Sequence, residues 1–350
     1  MSKYLTLTVF LISVFATSFS QNKEANVLNI TNGRMPNLTI DKSKIIHIVY
    51  GRGDSIMCIT SKDGITFNPP SLVAVLPKLM ASAMRGPQIA SAENGLVVTA
   101  CTKEGNIYCY KKENPGKWIK IKRINDTNES AKEALMALCA NGLNVYAVWL
   151  GVKSPKGQNI YGSKSIDGGK TWTKNILVYA SPDGSVCDCC KPSVVVKGNS
   201  AYVMFRNLIE GNRDLYLIQS VDGGKTFGKA TKLGTGSWKL NGCPMDGGGL
   251  ALDDKGIPET VWRREGRIYS SAPGRPEKEI GEGRGCSIET INNRNIYAWS
   301  ENGIITVLKP DNTKLKFGKG DLPLMKAINE KQVICIWENE KKISGAVIGL

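Results

Sequence analysis

Short runs with apolar and polar residues in alternation dominate the chain, broken every few positions by Gly, Asn or Asp. Val145-Tyr146-Ala147-Val148-Trp149, Ala201-Tyr202-Val203-Met204-Phe205-Arg206, Ile296-Tyr297-Ala298-Trp299 and Val333-Ile334-Cys335-Ile336-Trp337 hold equivalent places in a repeating pattern. Each follows a shorter strand and a Gly/Asn turn, and each ends in an aromatic or an Arg. A period of two bounded by turn residues predicts strands rather than helices. One stretch, Ser130 to Leu138, has helical character, and it falls where the repeat asks for a strand.

Around these runs a hairpin motif recurs, each copy following an alternating strand. Ser165-Ile166-Asp167-Gly168-Gly169-Lys170-Thr171-Trp172 recurs as Ser220-Val221-Asp222-Gly223-Gly224-Lys225-Thr226-Phe227, and a shorter copy is Ser61-Lys62-Asp63-Gly64-Ile65-Thr66-Phe67. The residue types define the job: Asp accepts backbone N–H groups across the turn, Gly takes positive φ, and the aromatic (Trp172, Phe227) packs back beneath. Units begin near Arg34, Gly86, Ala134, Cys190, Cys243, Cys286 and Leu322. Three or four strands per unit, repeated in this way, predict an all-β chain folded as a single β-propeller. Seven units can be counted; the last is short, so Asn26-Val27-Leu28-Asn29-Ile30 is expected to supply its outer strand, and six blades result if the final two units merge.

The hairpin copies and the Arg34-Met35-Pro36 opening resemble the sialidase, or neuraminidase, superfamily of Asp-box propellers, and the likeness runs through most of the chain. Its Asp boxes are scaffold. What the resemblance implies about chemistry is a carboxylate held by three arginines, an Asp acid/base, and a Tyr nucleophile activated by a Glu. Arg34 matches the first arginine, Arg52 and Asp54 in Tyr50-Gly51-Arg52-Gly53-Asp54 match the next arginine and the acid/base, and Arg206 matches a further arginine; Arg213 is a second candidate ligand-binding residue on the following loop. The pattern departs from the family where its Glu belongs, since Cys189-Cys190-Lys191-Pro192 stands there. It departs again where the Tyr should open a late unit, at Gly285-Cys286-Ser287 or Leu322-Pro323. Glu259, Glu289, Tyr269 and Tyr297 are present without a spacing that pairs them.

Ten cysteines add a different chemistry. Cys187, Cys189 and Cys190 open one unit, Cys243 and Met245 the next, and Cys286 the one after, so their side chains should converge near one end of the axis. Two readings stay open: a disulfide staple between neighbouring units, Cys190 or Cys187 with Cys243, or a copper or zinc site formed by Cys187, Cys190, Cys243 and Cys286. Without such a site no cofactor is expected. Cys58, Cys101, Cys109, Cys139 and Cys335 lie in apolar strands, where a buried thiol is the default, and His47 sits in another strand.

The first twenty residues change the expected compartment. Lys3, an apolar run from Tyr4 to Phe15 and the small-residue stretch to Ser20 read as a secretory signal peptide, removed after Ser20. Residues 21–350 then form one propeller domain that is secreted, periplasmic or on the cell surface. No later run is long and apolar enough for a membrane helix. The formal charge of +15 favours anionic partners, either an acidic glycan or an anionic surface. Because the basic residues are dispersed, no specific nucleic-acid site is expected, and nothing in the pattern requires more than a monomer. The functions in play are recognition or hydrolysis of a terminal acidic sugar, glycan or protein binding without catalysis, and binding of a soft metal.

Overall fold

The computed structural model describes residues 26–113, 116–152 and 157–350. The expected signal peptide, residues 1–20, lies outside them. The described chain forms seven four-stranded antiparallel sheets. Their innermost strands are Arg34–Ile40, Gln88–Ala92, Met136–Asn141, Ser193–Lys197, Gly248–Leu252, Arg284–Ile291 and Asp321–Asn329, and we number the blades 1 to 7 in that order. The sheets therefore make a seven-bladed β-propeller, which removes the six-blade alternative. No helix occurs among the described residues. The helical stretch expected around Ser130–Leu138 is a turn followed by the inner strand of blade 3, because Leu135 and Met136 are fully needed in the core between blades.

The ring closes with strands from both ends of the described chain. Leu28–Asn32 pairs antiparallel with Lys342–Gly349 and becomes the outer strand of blade 7, with Leu28 opposite Gly345 and Asn32 opposite Lys342. Arg52 of blade 1 secures this strand: its guanidinium donates to the Asn32 carbonyl at 2.8 Å and to Thr31 Oγ1 at 3.1 Å. Between blades, alternate residues of facing sheets interlock. Trp149, Trp262, Trp299 and Trp337, each on the second strand of its blade, are fully buried there. Removing one such ring would cost about 3–5 kcal/mol.

The Ser-x-Asp hairpins are clamps between adjacent blades. In blade 3, Asp167 Oδ1 accepts the N–H groups of Lys170 and Thr171 at 3.0 and 2.9 Å, and Oδ2 accepts the Thr171 hydroxyl at 2.6 Å. Gly168, at φ 72°, takes the left-handed conformation that the turn requires. Its carbonyl accepts the buried Lys111 ammonium of blade 2 at 2.6 Å, and Trp172 packs into the cluster shared with Val97 and Cys109 of that blade. Asp222 repeats the arrangement in blade 4, with Gly224 accepting Tyr146 Oη of blade 3 at 2.5 Å and Phe227 packed edge-on against that tyrosine. In blade 1 Asp63 accepts Ile65 and Thr66 N–H, both at 2.8 Å.

Desolvation is the largest single influence on Asp167 and opposes its charge, but the hydrogen bonds from Thr171, Ser165 and Lys170 together outweigh it and hold the carboxyl down at about 2; the unfolded value is about 3.9. A depressed carboxylate contributes stability that is present above the unfolded value and lost as pH falls through the folded one. Urea unfolding of wild type and Asp167→Asn between about pH 5 and pH 2 should therefore show the wild type losing stability more steeply than the variant below about pH 4. Parallel curves would mean that the turn does not depend on the charge of Asp167.

Candidate functional site

The lead-ins to the inner strands converge on a cavity of about 210 Å³ at one end of the axis. The chain turns into these strands through left-handed residues that are not glycine: Met35, Met84, Ala134, Met245 and Leu322 have φ between 49° and 71°. Each such position costs of order 1 kcal/mol and persists only where its surroundings enforce it. Here the turns aim the next few residues at the axis. Gly247 lets two lead-ins touch, because a Cβ there would lie 2.6 Å from the Lys191 carbonyl.

The polar side chains of the cavity come from several blades. Lys191, half-buried in the lead-in to blade 4, donates to Gln88 Oε1 of blade 2 at 2.8 Å, and Asn37 of blade 1 donates to the same oxygen at 3.2 Å. Burial pushes the Lys191 ammonium down to about 8. Asp246 is almost wholly buried; its Oδ2 accepts Gly285 N–H at 3.1 Å and faces Arg263 Nη1 at 3.8 Å. Burial raises its pKa against the lowering effect of Arg206 and that backbone bond. Asp246 Oδ1 and Ser287 Oγ are buried and have no protein partner. Both residues line the cavity, and their unpartnered oxygens, an acceptor and a hydroxyl, are bonding capacity that the protein leaves unmet beside it. Met35, Leu322 and Leu324 supply an apolar portion of the wall.

The arginines and the acid singled out in the sequence are distributed differently. Arg206 is buried at 1% exposure and reaches the backbone carbonyls of Asp246, Arg213 and Arg263 at 3.4, 2.6 and 2.9 Å. It ties blade 4 to blade 5 from behind the cavity wall, where a solvent-borne carboxylate does not meet it. Arg213 donates to the Leu240 carbonyl and to Cys187 Sγ. Arg52 holds the closing strand, and Asp54 accepts Lys78 N–H at 3.0 Å in the segment that follows the outer strand of blade 1. Neither lines the cavity. Arg34 lies beside it: its Nε pairs with Glu338 Oε1 of blade 7 at 3.3 Å, Met35 N–H caps the other oxygen, and the side chain is 43% exposed. Glu259 is held by Arg275 and Asn295, and Glu289 by Lys326. No tyrosine is among the described residues that line the cavity.

The sequence reasoning missed Lys191 and Asp246. Their available signal was position, since each is a charged residue flanked by Pro or Gly at a unit start.

The cysteines do converge, with one change of partner and one exclusion. Cys189 and Cys243 are disulfide-bonded, with Cα atoms 6.2 Å apart, so the staple between the openings of blades 4 and 5 uses Cys189 rather than Cys187 or Cys190. Cys187 Sγ lies 3.4 Å from Cys190 Sγ and 3.7 Å from Cys189 Sγ, and Arg213 Nη1 donates to it at 3.0 Å. The hydrogen bond from Cys190, followed by the charge and hydrogen bond of Arg213, brings Cys187 down to about 6 against its burial. Cys190 is pushed strongly up, first by burial and then by giving its proton to that bond. Cys286 is outside this cluster and lines the axial cavity instead. Cys58, Cys101, Cys109 and Cys335 are buried thiols, Cys139 is partly buried, and His47 Nε2 bonds Asp41 at 2.8 Å.

Fold and site together define a seven-bladed propeller with a polar axial cavity and an adjacent sulfur cluster. No family model matches the chain, and no curated protein matches it in sequence. Solved structures do match in fold. The BP39L lectin of Burkholderia pseudomallei superposes with a TM-score of 0.64 at 9% identity, over 91% of this chain and 96% of that one. An ulvan lyase of polysaccharide lyase family PL25 gives 0.55 at 11% identity, over 92% and 95%. The α-L-arabinofuranosidase Arb93A of Fusarium graminearum gives 0.53 at 10% identity, over 94% and 98%. At these identities the likeness is one of fold.

If Arg206 is a strut and not a ligand contact, Arg206→Ala should lower the unfolding free energy by about 3–5 kcal/mol, because three carbonyls and buried Asp246 lose their cation. Chemical denaturation measures this directly. Near-native stability would return Arg206 to the list of ligand-binding candidates.

Proposed function

We propose that the protein recognises an acidic saccharide at the axial mouth, with Lys191 as the principal carboxylate contact and half-exposed Arg34 as a second cation at the rim. The observation that carries this reading is that Asp246 and Ser287, whose Oδ1 and Oγ have no protein partner, line the same cavity as Lys191. A sugar acid presents one carboxylate and several hydroxyls, each of which both donates and accepts. Lys191 answers the carboxylate, Asp246 and Ser287 answer the hydroxyls, and Met35 and Leu322 cover an apolar face of the ring. The neighbouring folds include a lectin and two saccharide-active enzymes, which is in keeping with this assignment. The strongly basic composition would raise the local concentration of an anionic glycan.

The superfamily resemblance adds hydrolysis of sialosides as a finer reading, with the Asp-box hairpins as its scaffold. The cavity supports binding over that chemistry, since its lining lacks a tyrosine nucleophile. A catalytic alternative rests on Asp246: burial favours its protonated form, as a general acid requires. Export after Ser20 belongs to the same proposal, and an oxidising compartment accords with the Cys189–Cys243 bond.

Calorimetric titration with uronic-acid and sialic-acid oligosaccharides, and with neutral counterparts, tests the proposal. Binding of an acidic ligand should weaken on going from about pH 7 to about pH 9 as Lys191 loses its proton. Lys191→Met should weaken it about tenfold or more, while Lys191→Arg should bind with little dependence on pH over that range. Equal affinity for neutral sugars, or binding unchanged in Lys191→Met, would overturn the assignment. Turnover of a chromogenic α-sialoside would establish a nucleophile outside this account.

A further inference from the structure

Outside the axial cavity, the sulfur cluster is the densest set of reactive side chains among the described residues. Cys187, Cys189 and Cys190 offer three Sγ atoms that all lie within 4.8 Å of one another, and each residue is buried. Two of the separations are 3.4 and 3.7 Å. Three thiolates around one ion at roughly 2.3 Å would stand roughly 4 Å apart, a spacing that the triangle reaches with shifts of well under 1 Å in each sulfur. The Met245 side chain packs against it and adds a thioether. Arg213 donates to Cys187 Sγ at 3.0 Å, and such a cation and N–H donor would stabilise an anionic thiolate centre. Soft sulfur ligands in a dry pocket select Cu(I) among the common first-row ions.

We propose that Cys187, Cys189 and Cys190 form a Cu(I) site that the Cys189–Cys243 disulfide closes and its reduction opens. In the disulfide form Cys189 is spent on Cys243 and only two thiols remain. Cys243 is exposed, whereas Cys189 is buried, so a soluble reductant meets the bond at the Cys243 sulfur. A dithiol attacks there as its thiolate, forming a mixed disulfide and releasing Cys189 as a thiolate. The second thiol of the reductant then closes on the first, freeing Cys243. The bond between Cys189 and Cys243 has gained two electrons and two protons, and the dithiol leaves as a cyclic disulfide. Cu(I) then displaces the remaining thiol protons of Cys187, Cys189 and Cys190. The resulting charge of −2 on one cation and three thiolates faces the Arg213 guanidinium.

The test uses the mature chain under anaerobic conditions, before and after treatment with dithiothreitol and its removal. Cu(I) is supplied from its bicinchoninate complex, and transfer is followed by loss of the chelator's colour. The reduced protein should take one Cu(I) per chain and the disulfide form none. Cys187→Ser should abolish transfer to the reduced chain, and Cys335→Ser, which removes a buried thiol in blade 7, should leave it unchanged. Circular dichroism and melting curves establish that the Cys187→Ser variant is folded. If that variant proves unfolded, Cys190→Ser and Arg213→Met take its place, with abolished transfer and at least tenfold weaker retention as the expected results. Uptake equal in both redox forms, uptake unaffected by loss of a cluster thiol in a folded variant, or binding of zinc without Cu(I) would each overturn the proposal.

Discussion

The pairing of Leu28–Asn32 with Lys342–Gly349 is the constraint on which the other features depend. A propeller blade cannot bury both faces alone; it needs a neighbour on each side, and an open ring leaves two blades with bare apolar surfaces. Here blade 7 takes its outer strand from before blade 1, so separating blades 7 and 1 requires breaking a strand ladder as well as a packed interface. Arg52, Tyr50 and the Arg34–Glu338 pair reinforce the same seam. Only in a closed ring do seven inner strands point at one axis, and the axial cavity is the space they leave.

The hairpin clamps and the mouth divide the polar work of the molecule. At the clamps the bonds are internal: Asp167 and Asp222 satisfy the N–H groups of their own turns, and the turn carbonyls satisfy Lys111 and Tyr146 of the preceding blade. The result is a joint between neighbouring blades. At the mouth the accounting is incomplete, with Asp246 Oδ1 and Ser287 Oγ unpartnered and Lys191 desolvated. An unmet polar group is costly in a protein interior, and here the cost coincides with left-handed lead-ins at Met35, Met245 and Leu322. Unmet polar groups and left-handed backbone also occur elsewhere in the ring, and at the mouth they meet on residues that line one cavity.

The repeat made the scaffold legible from local information. Unit starts at Arg34, Gly86, Ala134, Cys190, Cys243, Cys286 and Leu322 fall within a few residues of the first residues of the inner strands, either before or after them, and the expected closing segment Asn26–Ile30 overlaps the observed strand at Leu28–Asn32. Alternation and turn chemistry act over a few residues, so they survive reading in one dimension. The site did not, because what makes Lys191 and Asp246 special is supplied by Gln88 and Gly285 from other blades and by Arg263 on the next strand of Asp246's own blade. Arg206 shows how position and contacts can differ: a strand-terminal arginine has the sequence position of a ligand contact, and its guanidinium bonds backbone carbonyls at the blade 4 to blade 5 junction. The cysteines fall between these cases. Their clustering was visible in the unit starts, whereas the choice of Cys189 as the partner of Cys243 depends on which of three nearby side chains faces the next blade.

Lys191 immediately follows Cys190, so one short lead-in carries a cluster thiol on one side and the cavity ammonium on the other. The saccharide assignment makes the more central claim, because it gives the closed ring and its unmet polar groups a common purpose. A crystal structure of the protein soaked with a uronic-acid oligosaccharide tests it most directly. The account requires the sugar in the axial cavity, its carboxylate within about 3 Å of Lys191 Nζ and its hydroxyls on Asp246 Oδ1 and Ser287 Oγ. A sugar bound elsewhere on the ring, with the cavity holding only water, would contradict it.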